Sequence, residues 1–311
     1  MPPRPSSPPN TNTNTVSQYP TFTPSIPYTT PPHPLQTLSL WLPRPLPAST
    51  SPDPSLAPDP RPFLIYLHGG AWRDPHQTRS TIAPTLSHLA SHPTLPSRLA
   101  AVASLDYRLS PHPAYPSNNA GEDDAVRHPA HLNDVRAALQ FLRDEYGMRE
   151  WVGVGHSAGA TLLMQCVAGI ASPLTTPSPS SPPTTAPETS TTTTLLTLIL
   201  LSGIYNLPQL LASHSHPTSP HTSTYASIIS SAFGPEKTLW RAASPALVAK
   251  GTYSDEAMAQ RAPGLRRVVL GWSAGDEVVQ VCDLTGSHDE VWQDGGQIVA
   301  LIGEVLGRLG A

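Results

Sequence analysis

Short apolar runs alternate with stretches of helical period from residue 61 onward. Phe63-Leu-Ile-Tyr-Leu67, Leu99-Ala-Ala-Val-Ala-Ser-Leu105, Trp151-Val-Gly-Val154, Leu195-Leu-Thr-Leu-Ile-Leu-Leu201 and Arg266-Arg-Val-Val-Leu-Gly-Trp272 are too short for helices and almost continuously apolar. Runs of that kind read as strands buried on both faces. Between them, Leu132, Val135, Ala138, Leu139 and Leu142 recur at helical spacing within His131–Tyr146, so that segment packs one face on a sheet. Ser80–His92, Ala160–Ala171 and Gly296–Leu309 read as further helices. Strand, connection and helix in alternation predict an α/β protein: a mostly parallel central sheet with helices on both faces. Leu35–Pro43 alternates apolar and polar residues and reads as an edge strand that ends at proline.

Composition then trims this picture. Proline accounts for 39 of 311 residues, and together with serine and threonine it is concentrated in blocks that cannot bury enough apolar surface to offset ordering. Residues 1–35 are expected to be a disordered tail. Residues 36–311 form one domain, interrupted by a low-complexity surface insert at 172–194 and by a cap-like segment at about 214–250. The formal charge of −4 and the lack of any Lys/Arg cluster argue against nucleic-acid binding. Two cysteines, Cys166 and Cys282, are too few for a disulfide framework and suit a reducing compartment. No signal-peptide pattern opens the chain, and no apolar run approaches the roughly 20 residues of a membrane span. A cytoplasmic, membrane-free protein is expected.

The candidate chemistry centres on Trp151-Val-Gly-Val-Gly-His-Ser-Ala-Gly159. Here a buried strand runs into a GxSxG turn that lifts Ser157 above the sheet and opens a helix at Ala158. The positive end of that helix faces any oxyanion formed beside the serine. Upstream, a strand ends in His68-Gly-Gly-Ala-Trp72, where two glycines let backbone N–H groups approach a ligand. Gly69, Gly70 and Ala158 are therefore the candidate oxyanion donors. Asp276 follows the buried strand ending at Trp272, and His288 comes after it. Serine, acid and histidine in that order, each on a loop after a strand, is the α/β-hydrolase order. Histidine suits proton transfer near neutral pH, and the carboxylate holds its ring in the correct tautomer. Asp106 and Arg108 are expected to form a structural ion pair. From the residues alone, the reading stops at a serine hydrolase of an ester or amide.

His68–Trp72, Tyr107–Pro113, Arg127–His128–Pro129 with His131, Asp134–Val135, Gly155–Gly159, Gly275–Glu277 and His288–Trp292 resemble fungal kynurenine formamidases, in the HGGxW branch of the α/β hydrolases. The resemblance spans roughly residues 36–309 apart from the insert. It implies hydrolysis of N-formyl-L-kynurenine to L-kynurenine and formate, in tryptophan breakdown toward NAD. It also implies Ser157, Asp276 and His288 as the triad, no cofactor or metal, and a homodimer. Trp72 and His68 are candidate substrate contacts. Trp72 is read either as a wall for the aryl ring or as packing for the oxyanion loop.

One stretch departs from that pattern. Only residues 277–287 separate Asp276 from His288, which leaves no room for a helix and a returning strand. The last helix–strand unit before the histidine is expected to be missing. Asp283 and Asp289 are the rival acids, Asp283 disfavoured as part of an irregular segment. Two alternatives stay open: a small-acyl carboxylesterase of the same fold, and a non-catalytic binding protein.

Overall fold

The computed structural model describes residues 19–47, 59–115, 126–171, 193–215, 221–273, 283–284 and 288–309. The expected insert at 172–194 falls almost wholly outside them, as does Asp276. Eight strands make one sheet: β1 (Thr21–Pro27), β2 (Thr37–Leu42), β3 (Phe63–Leu67), β4 (Ala101–Leu105), β5 (Glu150–His156), β6 (Thr194–Leu201), β7 (Arg267–Ser273) and β8 (Asp283–Leu284). Their order is β1-β2-β4-β3-β5-β6-β7-β8. The β1–β2 and β2–β4 pairings are antiparallel, and every later pairing is parallel. The helices are α1 (Ala83–Ser91), α2 (Leu95–Arg98), α3 (Ala130–Tyr146), α4 (Ala158–Ala168), α5 (Leu207–Ser213), α6 (Thr222–Phe233), α7 (Lys237–Ala243), α8 (Asp255–Arg261), α9 (Glu290–Asp294) and α10 (Gly296–Leu309).

The apolar runs form strands because both faces of the sheet are covered. Along β3, Phe63, Ile65 and Leu67 join Leu132, Val135 and Leu142 of α3 and Leu162 of α4 in one cluster. Leu64 and Tyr66 point the other way, into a cluster with Leu89 of α1 and Ile298, Ile302 and Val305 of α10. A period of two along the strand thus serves two cores, each fully buried aliphatic side chain contributing about 1.5–3 kcal/mol.

Two expectations are corrected here. The region up to residue 35 is not structureless throughout: β1 pairs along β2, with Phe22 opposite Trp41 and Ile26 opposite Leu38. Its largely exposed residues and its prolines are tolerated because it is an edge strand, where one side needs no partner. Consequently β2 is not an edge but an interior strand, buried along nearly its whole length. At the far side, the strand expected to be missing persists as the two-residue β8, parallel to β7 with Asp283 level with Trp272 and Leu284 level with Ser273. No described helix is long and apolar enough to cross a membrane.

Candidate active site

Strand β5 passes directly into α4 through Ser157, which holds φ 50° and ψ −117°. A side-chain-bearing residue is strained there and persists only where its surroundings fix it. The Ser157 N–H donates to Leu201 O on β6 at 2.8 Å, and its carbonyl accepts from Thr161 N–H at 3.1 Å. The flanking glycines follow from close approach. A Cβ on Gly159 would stand 2.3 Å from Leu67 O and 2.6 Å from His68 O, and one on Gly155 would stand 2.6 Å from the Ala160 backbone. Helix α4 can therefore press its first turn onto the end of β3. Its opening amide, at Ala158, is one of the N–H groups with no acceptor inside the helix.

The loop after β3 lies against this turn. A Cβ on Gly69 would be 3.1 Å from Ser157 Cβ. Gly70, Ala71 and Trp72 all take positive φ, at 87°, 49° and 59°. That left-handed run folds the chain back, so Gly70 O accepts from Arg73 N–H at 2.9 Å and Asp74 N–H at 2.8 Å. Buried Tyr107, just after β4, holds the other side: its hydroxyl donates to His68 O at 3.1 Å and Gly69 O at 3.0 Å. In a trans peptide, C=O and the following N–H point in opposite directions. Fixing those two carbonyls therefore turns the N–H groups of Gly69 and Gly70 away from Tyr107. Burial raises the Tyr107 pKa above that of a free phenol, with the Asp106 charge adding to it, so the donor keeps its proton.

His68 stacks on Tyr107, ring centroids 4.5 Å apart. Its Nδ1 lies 2.9 Å from Gly69 O, so it carries the hydrogen. Burial pulls the His68 pKa down, opposed by Asp106 with Oδ1 3.7 Å from Nε2. Trp72 is fully buried, edge-on to Phe233 of α6 at 4.9 Å. Both candidate substrate contacts thus sit behind the loop and brace it.

His288 lies at the start of the segment leading to α9, and its carbonyl is 2.9 Å from His156 Nε2, the residue before Ser157. The two imidazoles are 4.8 Å apart. His156, His288 and Asp289 could each offer one ligand atom within 4.8 Å of the others. Such a site would take a ring nitrogen that proton transfer requires. Asp276 lies outside the described residues. The argument against Asp283 is corrected: it begins β8 beside the carboxyl end of β7, rather than an irregular stretch.

Several residues escaped sequence reasoning. Asp106 pairs with Arg79 and Arg108 with Asp134 at 2.7 Å, not with each other. Both lie past the end of β4, where Asp106 meets the N–H and guanidinium of Arg79 and Arg108 meets Asp134 of α3. Ser202, at the end of β6, repeats the positive φ of Ser157 at 50°. Gln77 Oε1 is buried without a hydrogen-bond partner, 3.4 Å from where a Gly69 Cβ would be. None of these carries a local motif.

A mostly parallel sheet with a strained serine between β5 and α4, faced by a glycine loop from β3, defines an α/β hydrolase. The sequence profile of the BD-FAE family matches residues 53–254, and a kynurenine formamidase, avaC, of Aspergillus versicolor is 31% identical over 263 residues, covering 75% of this chain and 84% of its own. The chain belongs to the BD-FAE family and, by that likeness, to the fungal kynurenine formamidases. A kynurenine formamidase-like hydrolase, fscH, of Fusarium equiseti is 27% identical, with 79% of this chain and 83% of that one covered. Among solved structures, an inhibited esterase B from Lactobacillus rhamnosis superposes with a TM-score of 0.55 at 15% identity, covering 93% of this chain and 87% of that one. The fluorophosphonate-binding serine hydrolase FphF of Staphylococcus aureus gives 0.51 at 13% identity, covering 92% and 98%. These likenesses concern the fold.

Proposed function

We propose that the protein hydrolyses N-formyl-L-kynurenine to L-kynurenine and formate, with Ser157 as nucleophile. His288 takes the Ser157 proton as the oxygen attacks the formyl carbon. The oxyanion of the tetrahedral intermediate rests on the N–H groups of Gly69, Gly70 and Ala158. His288 returns the proton to the departing aryl nitrogen, whose C–N bond breaks. Water, deprotonated by the same imidazole, then releases formate from the formyl ester. Asp276 orients the His288 ring and balances its charge. The reading includes a role in tryptophan degradation and a cytoplasmic site of action.

The observation that carries this reading is the strained Ser157 at the head of α4, with Gly69 packed so close that a side chain there would meet Ser157 Cβ at 3.1 Å. Turnover of N-formyl-L-kynurenine and of p-nitrophenyl acetate by the purified protein and by Ser157→Ala tests it. Preferred, Ser157-dependent cleavage of the formamide is expected. Preference for the plain ester would instead assign a small-acyl carboxylesterase.

A further inference from the structure

Strand β6 ends as β5 does. The register sets Leu201 beside His156, and Ser157 N–H donates to Leu201 O at 2.8 Å. Ser202 therefore leaves β6 level with Ser157, about one strand spacing, or about 4.8 Å, to its side. Both serines hold φ 50°. They also lie at the same depth, Ser157 6% and Ser202 8% exposed, so a substrate that reaches one stands at the level of the other. The chain after Ser202 is tied down on three sides. Ser202 N–H donates to Gly271 O of β7 at 2.9 Å, and Tyr205 O accepts from Ala246 N–H at 2.9 Å. Between them, Thr161 Oγ1 of α4 donates to Ile204 O at 2.8 Å and accepts from Ile204 N–H at 3.1 Å.

Two hydroxyls on this rigid loop are left over. Ser202 Oγ and Tyr205 Oη are buried and, among the described residues, have no hydrogen-bond partner. A Cβ on Gly203 would collide with Tyr205 Oη and meet Ala160 Cβ of α4 at 2.9 Å, so glycine there lets the phenol fold back beside Ser202, close to the first turn of α4. Burial lifts the Tyr205 pKa well above that of a free phenol, which keeps the hydroxyl a donor. A buried donor without an acceptor costs stability, and alanine at 202 or phenylalanine at 205 would fill the same space without that cost. Ser202 adds the strain of a positive φ on a residue with a side chain. Two uncompensated donors and a strained backbone, one strand from the nucleophile, form a site prepared for an oxygen that arrives with the substrate.

Resting on the formamidase reading, we infer that the Ser202 and Tyr205 hydroxyls donate to a carbonyl oxygen on the leaving group, ortho to the scissile formamide on its aryl ring. With ring and substituents coplanar, such an oxygen lies about 4 Å from the formyl carbon, by ordinary bond lengths. That reach is close to the spacing between the two serines, so a formyl carbon at Ser157 sets the carbonyl oxygen beside Ser202. Carbonyl and nitrogen are conjugated through the ring, and polarising the oxygen also makes the nitrogen a better leaving group. Ser202 and Tyr205 are thus specificity-determining residues.

The test measures binding of the product L-kynurenine, and of its analogue with a methylene in place of the ketone, to Ser157→Ala protein with and without Ser202→Ala or Tyr205→Phe. L-Kynurenine is expected to bind at least about tenfold more tightly than the analogue, and each added substitution to shrink that preference about three- to tenfold by weakening L-kynurenine alone. Each is also expected to melt no lower than its parent, since a hydroxyl without a partner gives the free protein nothing. Equal affinity for the two ligands, no binding of L-kynurenine, or a preference that survives in either variant overturns the assignment. A matching loss for both ligands, or a fall in Tm of more than about 3 °C, overturns it too, because it marks the hydroxyl as a structural bond. Turnover by the Ser157-intact protein is a separate arm: absence of N-formyl-L-kynurenine cleavage with retained ester cleavage refutes the formamidase reading, while the binding comparison still decides the role of the two hydroxyls.

Discussion

Replacing Tyr107 with phenylalanine removes one oxygen and leaves the ring stacked on His68. That oxygen is the donor to His68 O and Gly69 O, at 3.1 and 3.0 Å, and so sets the orientation of two consecutive peptides. Gly69 O retains the His68 Nδ1 contact at 2.9 Å, whereas His68 O loses its side-chain donor in a buried setting. A buried group left unsatisfied costs about 1–3 kcal/mol, which for a domain of this size lowers Tm by about 2–4 °C per kcal/mol. The effect on catalysis is separate. Outright removal of an oxyanion donor costs about 100- to 1000-fold in kcat. In Tyr107→Phe the Gly69 and Gly70 amides remain but are held less firmly, so a loss of about 10- to 30-fold is expected, or about 1.4–2 kcal/mol of transition-state stabilisation. KM should stay within about twofold, because those amides meet full negative charge only in the transition state. Steady-state kinetics with N-formyl-L-kynurenine, beside a thermal melt, separates the two effects. A lowered Tm with kcat within twofold of wild type would refute the claim that Tyr107 aims the donors and leave it a packing residue.

Three further outcomes follow from the same structure. Ser110 Oγ donates to Val126 O and so accepts from His131 Nε2–H at 2.9 Å, fixing buried His131 as a neutral ring with its pKa lowered to about 3 by burial. Because the unfolded chain binds that proton first, stability is full above about pH 6.5 and falls by about 1.4 kcal/mol per pH unit below it, about 2–3 kcal/mol by pH 4.5; urea midpoints at pH 7 and 4.5 should show this, and His131→Leu should flatten it. Gly159→Ala would drive a methyl into Leu67 O and His68 O, so a fall in Tm beyond 5 °C and loss of fluorophosphonate labelling at Ser157 are expected, and a labelled variant with wild-type Tm would contradict the close approach. Asp276→Asn is expected to lower kcat by at least about a thousandfold and Asp283→Asn to leave it near wild type; the reverse pattern would move the acid onto β8.

Legibility in the sequence followed how local each cause is. Strands β3 to β6 were readable because both faces are buried and the apolar runs are therefore nearly continuous, and β7 kept an apolar run although Val268 is exposed. The elbow was readable because its glycines meet backbone within a few residues of the serine or at the end of the neighbouring strand. Strand β1 was hidden by composition, since an edge strand can carry prolines and exposed polar residues that otherwise mark a tail. The ion pairs of Asp106 and Arg108 were misread for the opposite reason: sequence neighbours attract attention, but their partners, Arg79 and Asp134, arrive from other elements 27 and 26 positions away. Tyr107 lies in a motif whose role is invisible until its hydroxyl is seen between two carbonyls 38 and 39 positions upstream.

The loop from His68 to Thr78 gathers several of these long-range causes in eleven consecutive residues. Tyr107 fixes its carbonyls, Phe233 covers Trp72, Ser227 holds Arg73, and Asp106 accepts from Arg79 N–H at 2.6 Å just beyond its end. Two of those partners belong to α6, so the segment expected to act as a cap also stiffens the loop beneath it. Donors aimed at a developing oxyanion are effective only when they need not reorganise as charge appears. Three consecutive positive φ angles would not persist on an exposed loop without such outside support. The cap, the β4 turn and the glycine loop therefore act as one unit, and the strain in Ala71 and Trp72 is held by side chains that the local sequence does not contain.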